Sequence, residues 1–582
     1  MTRTDTFVVG ILVVLLALVA GVIGAPALQP AVASPSSNAD HGSSPLPVTA
    51  RPYVEGVIGA PVSVSPLTAR TQVDRDLVAL TFSGLVRNGP SGTIVPDLAR
   101  SWTVDDAGDT WTVHLRDDAR WHDGEPVTAT DVVFTIATLK DPAYTGPSGT
   151  SWREVTVTAL DEATVRFDLA TPLGGFLQAL TQPIAPAHLL ADVPVDLLPD
   201  HPFGELPVGS GPFSLVELTD TAASLVPATT IDPAGEPGAA HASAPPTDSL
   251  TTAPPTLRPG RPLPYLAGIE MRFYTDPDAL AADYRAGRLD AASGLAPVLA
   301  AELGALDGSR LLRYPGATLT AVLLNLRPTH PEFASPAVRT ALLAAIDRGA
   351  LIGSAFAMSA ATATGPIPPS SPVFDAAADP PVAYDAAAAA KALKAADWTR
   401  KDDRWYLPKA KDPLAIEVLS PTKGANPGLF AAAERVVADW TALGLTVTHA
   451  PLPPGEFVTD RLATADFSVA VADVTIGLDP DLYPLLASSQ TLTGGSNVMG
   501  LQDPTLDGLL AKARAPGTET ERKAAYSALQ VQLGKGRYLL PLAFADEVVV
   551  ARDVLEGPAL RQVSDRSDRF WDVLTWRLAD GR

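Results

Sequence analysis

Few residues in this chain could act on a bond or hold a metal, and their spacing is poor. Ser420-Pro421-Thr422-Lys423 matches Ser-x-x-Lys, in which a lysine one helical turn away helps a serine attack an acyl carbon. That pattern needs a helix, Pro421 is unsuited to one, and the companion Lys-Thr-Gly is missing, so the match is read as chance. The eight histidines (41, 114, 122, 188, 201, 241, 330 and 449) are scattered, with no His-Glu-x-x-His or close-pair spacing, so no metal site is expected. Gly209-Ser210-Gly211 lacks the third glycine of a dinucleotide loop and is followed by Pro212, which reads as a turn. There is no phosphate-binding Gly-x-x-x-x-Gly-Lys and no Gly-x-Ser-x-Gly elbow. The paired carboxylates Asp105-Asp106 and Asp117-Asp118 sit at turn positions, where solvent explains them. No catalytic residue and no cofactor is expected.

Composition narrows the classes further. The chain has 582 residues, 46% apolar and 19% charged, enough to bury a sizeable core. Its net charge of −22 repels phosphate backbones, which argues against nucleic acid. Cysteine is absent, which removes disulfides, thiolate sites and a lipid-bearing N-terminal cysteine together.

The elements that would position any site are legible as patterns. Trp102 and Val104, then Trp111, Val113 and Leu115, alternate with polar residues around Asp105–Asp109, a hairpin signal. Thr128-x-x-Asp131 opens a helix carrying Val133, Ile136 and Leu139. Two more strands fall within 153–169, with a turn at Asp161-Glu162. From 265 onward strands and helices alternate: strands at 269–273, 289–291, 319–326, 414–419, 446–449 and 539–550, and helices at 277–286 and 384–396. Leu429, Ala433, Val436, Val437, Trp440 and Leu443 recur at helical spacing, with Gly444 placed as the cap. Thr518-x-x-Glu521 starts a helix that stops near Gly534. This alternation predicts an α/β class with largely parallel sheets in the second half.

Two segments stand apart. Phe7–Ala25 is nineteen residues without a charge, the length that spans about 30 Å of hydrocarbon as a helix. It reads as an uncleaved transmembrane anchor or a signal cleaved after Ala31-Val32-Ala33, and both place the rest of the chain outside the cytoplasm. Residues 29–50, rich in Pro, Ala and Ser, would tether it. Nine of the 36 residues in 227–262 are proline, and with no apolar period this reads as a disordered insertion: a tolerated surface loop, or a spacer or glycan-bearing segment.

Several segments in order carry a resemblance. They are Asp76–Val86 with Pro96–Trp102 and Trp111–Phe134; Val208-Gly-Ser-Gly-Pro-Phe-Ser-Leu215; Leu324-Asn-Leu326 with Val338–Arg348; Tyr384-Asp385 to Trp398; and Asp479-Pro-Asp-Leu-Tyr483. Together they resemble the family 5 extracellular solute-binding proteins, the dipeptide, oligopeptide and nickel receptors of ABC importers. The likeness runs over about 51–580, apart from the insertion. It implies a two-lobed, periplasmic-binding-protein-like α/β fold with an extra subdomain on lobe 1. The N-terminal segment would be 1–28, lobe 1 51–273 (subdomain about 84–185), lobe 2 274–546, and 547–582 a return to lobe 1. The chain would cross between lobes near 274 and 546. Trp102, Trp111 and Trp121 would pack the subdomain, the Trp121-His-Asp-Gly124 turn would orient a loop, and Gly209 and Gly211 would allow a tight turn.

The resemblance also implies a site. In peptide-binding relatives an aspartate shortly before the Asp-Pro-Asp segment meets the peptide's amino terminus. Asp473 is the positional match and Asp479 the runner-up. Asn325, Asn497 and Thr68 lie near segments that line the cleft in relatives, and Asn325 equally fits a tie between strand and loop. The implied role is an extracytoplasmic binding protein, monomeric by the family's habit, that captures an oligopeptide or other small solute. It would deliver that solute to an ABC permease with its ATPase subunits, attached to the membrane through the N-terminal helix. The alternatives are a membrane-tethered sensor or scaffold without transport, and a secreted hydrolase on the same frame, which the missing nucleophile and metal patterns disfavour.

Overall fold

The computed structural model describes residues 51–89, 93–146, 152–228, 263–491 and 495–579. The apolar run 7–25, the tether 29–50 and nearly all of the insertion 227–262 lie outside the described residues. Among the described residues no helix is long and apolar enough to cross a membrane.

Two mixed sheets organise the molecule. The first runs in the order Ser309–Tyr314, Glu547–Arg552, Ala291–Ser293, Tyr53–Ile58, Ile269–Tyr274, Ala222–Pro227 and Phe213–Leu218. Its central strand Tyr53–Ile58 is buried along almost its whole length, as a strand covered on both faces must be. The second runs Ala360–Thr362, Leu539–Ala545, Thr318–Leu324, Val469–Thr475, Ala415–Pro421 and Thr446–Leu452. The helix Pro427–Leu443 covers one face of this second sheet. Asn426 caps its start, Pro427 occupies its first position, and Gly444 ends it at φ 100°. Its buried stripe, Leu429, Ala432, Ala433, Val436, Trp440 and Leu443, packs on Val418, Val469 and Val471.

The strand pairing corrects two expectations. Strands 269–274, 291–293 and 309–314 all belong to the first sheet, so lobe 1 continues to about residue 314 and the chain does not cross at 274. The crossings are Pro315–Ala317 and Asp546. Nor are the sheets of the second half largely parallel. Ile269–Tyr274 and Ala291–Ser293 pair parallel with Tyr53–Ile58, and Ala415–Pro421 pairs parallel with its two neighbours, but the returning segment 539–552 runs antiparallel through both sheets and Thr318–Leu324 pairs antiparallel with Val469–Thr475.

A subdomain grows from lobe 1 where Gly84 pairs with Pro183. It holds the antiparallel sheet Ala99–Val104, Thr110–Leu115, Thr164–Leu169 and Val155–Asp161 and the helix Ala129–Lys140. Trp111 and Trp121 are buried in its core, and Trp102 packs against it. The late segment 565–576 then stitches lobe 1 together. Arg569, fully buried, bonds Glu55 at 2.9 Å and Asp76 at 3.0 Å, and both carboxylates are fully buried as well. Burial alone would pull the Arg569 guanidinium down, and the two carboxylates drive it well above its usual range instead.

Candidate functional site

The two crossing segments touch. A side chain at Gly316 would collide with the carbonyl oxygen of Ala545, so the close approach of the crossings depends on glycine there. Val563 adds a third strand to the crossing: its N–H donates to Pro315 O at 2.9 Å and its carbonyl accepts from Ala317 N–H at 2.9 Å. The N–H of Ile476 donates to Ala317 O at 3.0 Å, which ties the end of the strand Val469–Thr475 to the crossing. Asp473 lies three residues before that tie, on the rim of lobe 2 that faces lobe 1.

Asp473 sits opposite Thr320, whose hydroxyl donates to Oδ1 at 2.6 Å. The Asn426 side chain, while capping its helix, also hydrogen-bonds the carboxylate. Among the described residues no cation pairs with it. Burial raises its pKa to about 6, against the two hydrogen bonds that pull it down. The residue still keeps some exposure. This is a partly buried carboxylate held by two neutral groups.

Its neighbours at the crossing are also acids under strain of burial. Asp546, in the crossing itself, is raised to about 6 by burial, with Arg313 opposing. Glu547 is raised by burial too, with Arg566 pulling it back. On lobe 1, the buried hydroxyls of Ser293 and Tyr314 have no hydrogen-bond partner among the described residues, and both stand at strand ends beside the crossing.

The other sequence candidates lie elsewhere. Asn325 is at the far end of the Thr318–Leu324 strand from Thr320; its amide donates to Phe467 O at 2.8 Å and Ala465 O at 3.2 Å, and its oxygen accepts from Arg327. Asn497 is fully buried inside lobe 2 and spends its side chain on Ala487 O, Leu501 O and Leu501 N–H. Thr68, buried in lobe 1, bonds Ser63 Oγ at 2.6 Å. In all three the side chain hydrogen-bonds groups of its own chain. The structure brings none of them to Asp473. Asp479, the runner-up, is paired with Arg522 at 2.6 Å and belongs to a different contact.

That contact is where the subdomain of lobe 1 meets lobe 2. The Gly174 N–H donates to Arg514 O at 2.9 Å. A side chain on Gly175 would run into the Asp479 carboxylate, one on Gly174 would come within 2.8 Å of Ala515 O, and one on Gly108 within 2.6 Å of Pro516. On the lobe 2 side Arg514 pairs with Asp481 at 3.0 Å and stacks 4.5 Å over the Tyr483 ring. Asp479 and the segment Arg514–Pro516 therefore build an interlobe seat fitted to three glycines.

The remaining motifs take structural parts. His122 of the Trp-His-Asp-Gly turn places Nε2 3.0 Å from Gly211 O and accepts from Gly209 N–H, so the turn does orient the Gly209–Gly211 loop. These glycines are needed for close approach to the backbone at Thr81 rather than for tight turning. Ser420 is buried, bonded to His449 at 2.8 Å, and does not sit on a helix. Thr320 and Asn426 were not found from sequence. Asn-Pro at a helix start is a capping signal that would have located Asn426, whereas nothing local marks Thr320.

A family model described as "Bacterial extracellular solute-binding proteins, family 5 Middle" matches residues 93–496. Protein XP55 of Streptomyces lividans is 27% identical over 528 residues, covering 87% of this chain and 86% of that protein. The glutathione-binding protein GsiB of Escherichia coli O157:H7 is 28% identical over 341 residues, and the chain spans 59% of its length and is itself covered over 58%. Among solved structures, the oligopeptide-binding protein AppA from Bacillus subtilis, in complex with a nonapeptide, superposes with a TM-score of 0.68 at 20% identity, over 91% of this chain and all of that one. The two-lobed α/β architecture is thus shared with solved binding proteins, and the chain belongs to the bacterial extracellular solute-binding proteins, family 5.

Proposed function

We propose that the protein is an extracytoplasmic receptor that captures a peptide-like solute between its lobes and hands it to an ABC importer permease. One observation carries the peptide reading: Asp473, partly exposed beside the interlobe crossing, is hydrogen-bonded by two neutral groups and paired with no cation. A ligand ammonium completes such a carboxylate, and it must be ionised to receive one. The name of GsiB and the nonapeptide bound to AppA support a ligand of this class. Closure of the subdomain onto the Asp479–Tyr483 segment would report occupancy to the permease as a shift between open and closed forms. In this reading the apolar run 7–25 brings the chain to the membrane, as an anchor or as a signal. The receptor acts as a monomer and no reaction is catalysed.

The test is gentle purification followed by denaturation and mass spectrometry of whatever is released. A ladder of short peptides, lost in Asp473→Ala, supports the proposal. An empty protein whose melting temperature no peptide library raises overturns the peptide part and favours a tethered sensor or another solute.

A further inference from the structure

The chain has ten lysines, and five of them, Lys391, Lys394, Lys401, Lys409 and Lys411, fall within 21 residues. Arg400 and Arg404 lie among them, and all seven side chains are exposed. Against three carboxylates, Asp397, Asp402 and Asp403, the stretch carries +4 on a chain of −22; Asp412 follows it.

The stretch is one structural unit. Lys391 and Lys394 project from the helix Ala386–Ala395, and a hairpin of Thr399–Lys401 with Arg404–Tyr406 follows. Trp398 packs edge-on against Trp405 with ring centres 6.5 Å apart, and both are buried, so the hairpin is pinned to the helix. Trp405 Nε1 donates to Leu443 O at 2.9 Å, which pins it to lobe 2. Outward, the fold leaves charge uncompensated. Lys401 and Arg404 stand directly opposite each other, where like charges repel. Lys409 takes a left-handed backbone at φ 63°, a conformation that glycine or asparagine adopts more readily. Among the described residues the seven cations form one ion pair, Arg400 with Asp403 at 3.4 Å.

The position of the patch decides what it can meet. Leu414 N–H bonds Trp405 O immediately before the strand Ala415–Pro421 begins, whereas Asp473 and Pro421 lie at the other end of the same sheet. Seven residues of strand separate the two ends, about 23 Å. The patch therefore lies away from the interlobe crossing and leaves it free. We propose that the basic pole of lobe 2 docks on an anionic phospholipid surface. Lysine ammoniums are mobile point charges, which suit a fluid array of phosphates rather than a shaped groove. The acids elsewhere on the chain do not forbid the approach, since charges beyond roughly 8 Å are screened at physiological salt. Docking here is independent of what the cleft binds.

The full chain is mixed with vesicles of phosphatidylcholine alone, or with one third phosphatidylglycerol, and its lysines are acetylated in a timed pulse and read by mass spectrometry. Lys512, Lys523 and Lys535 are controls within the same molecule, and any insertion of the N-terminal segment affects both vesicles. Lys391, Lys394, Lys401, Lys409 and Lys411 should react at least threefold more slowly with the anionic vesicles, the controls should not change, and 0.5 M NaCl should abolish the difference. The combined variant Lys391→Gln, Lys394→Gln, Lys409→Gln and Lys411→Gln should leave Lys401 unprotected. Equal rates on both vesicles, protection spread equally over the controls, or protection by soluble polyglutamate but not by vesicles would each overturn lipid docking.

Discussion

The Thr320 hydroxyl donates a 2.6 Å hydrogen bond to Asp473 Oδ1 across the strand pair in which the two residues face each other. With Asn426 it orients the carboxylate and leaves its charge unneutralised. Replacing that charge should separate stability from binding. Asp473→Asn keeps the shape and removes the ionisation cost, so the empty protein should melt higher at pH 7.5 by about 2 °C, on the order of 1 kcal/mol. Peptide affinity should fall at least about a hundredfold, roughly 2.7 kcal/mol. Calorimetry of both proteins checks this, and a variant that binds as tightly as the parent would remove Asp473 from the site.

Acidity should act on the same group. The folded-state value of about 6 lies above the ordinary 3.8, so the empty protein holds its proton more firmly than the unfolded chain does. Its contribution to stability is therefore present in acid and lost as pH rises between about 4 and 6. Ligand affinity runs the other way, because an ammonium must displace that proton: the dissociation constant should rise up to tenfold per unit below pH 6 and level off above 7. Titrations at pH 5, 6 and 7.5 with a free and an N-acetylated peptide test it, and a slope shared by both peptides would point to Asp546 or Glu547 instead.

Closure depends on the glycine seat. Gly175→Val would drive a branched side chain into the Asp479 carboxylate. The variant should stay open in solution scattering with ligand present and bind at least tenfold more weakly, while its melting temperature without ligand changes little. A closed, tight-binding variant would show that the subdomain seat is incidental.

Lobe 1 should be the more vulnerable lobe to loss of one buried charge. Arg569→Met takes from Glu55 its ion pair and leaves Asp76 with the longer contact to Arg566 at 3.5 Å, at a cost of about 3–5 kcal/mol. Thermal unfolding should then split, with hydrogen exchange rising first in 53–81. Adding Glu55→Gln and Asp76→Asn should restore much of the loss, and no recovery would mean that packing of the arginine stem matters more than its charge.

Much of this architecture was legible in the sequence where the determinants are local. Thr128 and Asp131, and Thr518 and Glu521, form the reciprocal caps that their spacing announced, and Gly444 ends its helix in the left-handed conformation. Pairing direction was not legible, because a strand's partner is chosen by the whole chain: Glu547–Arg552 joins strands more than 200 residues away. The first crossing was misplaced for the same reason, since nothing local distinguishes strand 269–274 from strand 318–324. For the candidate site, proximity to the Asp-Pro-Asp segment pointed to Asp473, which the structure places beside the crossing with no cation paired to it among the described residues. The intrachain partners of Asn325, Asn497 and Thr68 were not legible, because the backbone groups and the neighbouring hydroxyl they bond are brought near only by the folded chain.

The return of residues 547–576 to the first sheet makes lobe 2 an insertion within lobe 1, with an effect on the order of assembly. All six strands of the second sheet have been synthesised by Ala545, before Arg569 exists to neutralise Glu55 and Asp76. Lobe 1 is begun first and finished last. A chain still emerging from the ribosome thus carries an incomplete first lobe, with two buried acids lacking their cation, through most of its synthesis. Translocation machinery that needs an extended polypeptide would meet such a lobe before it could lock, and pulsed proteolysis of stalled nascent chains ending before and after residue 576 would reveal the step.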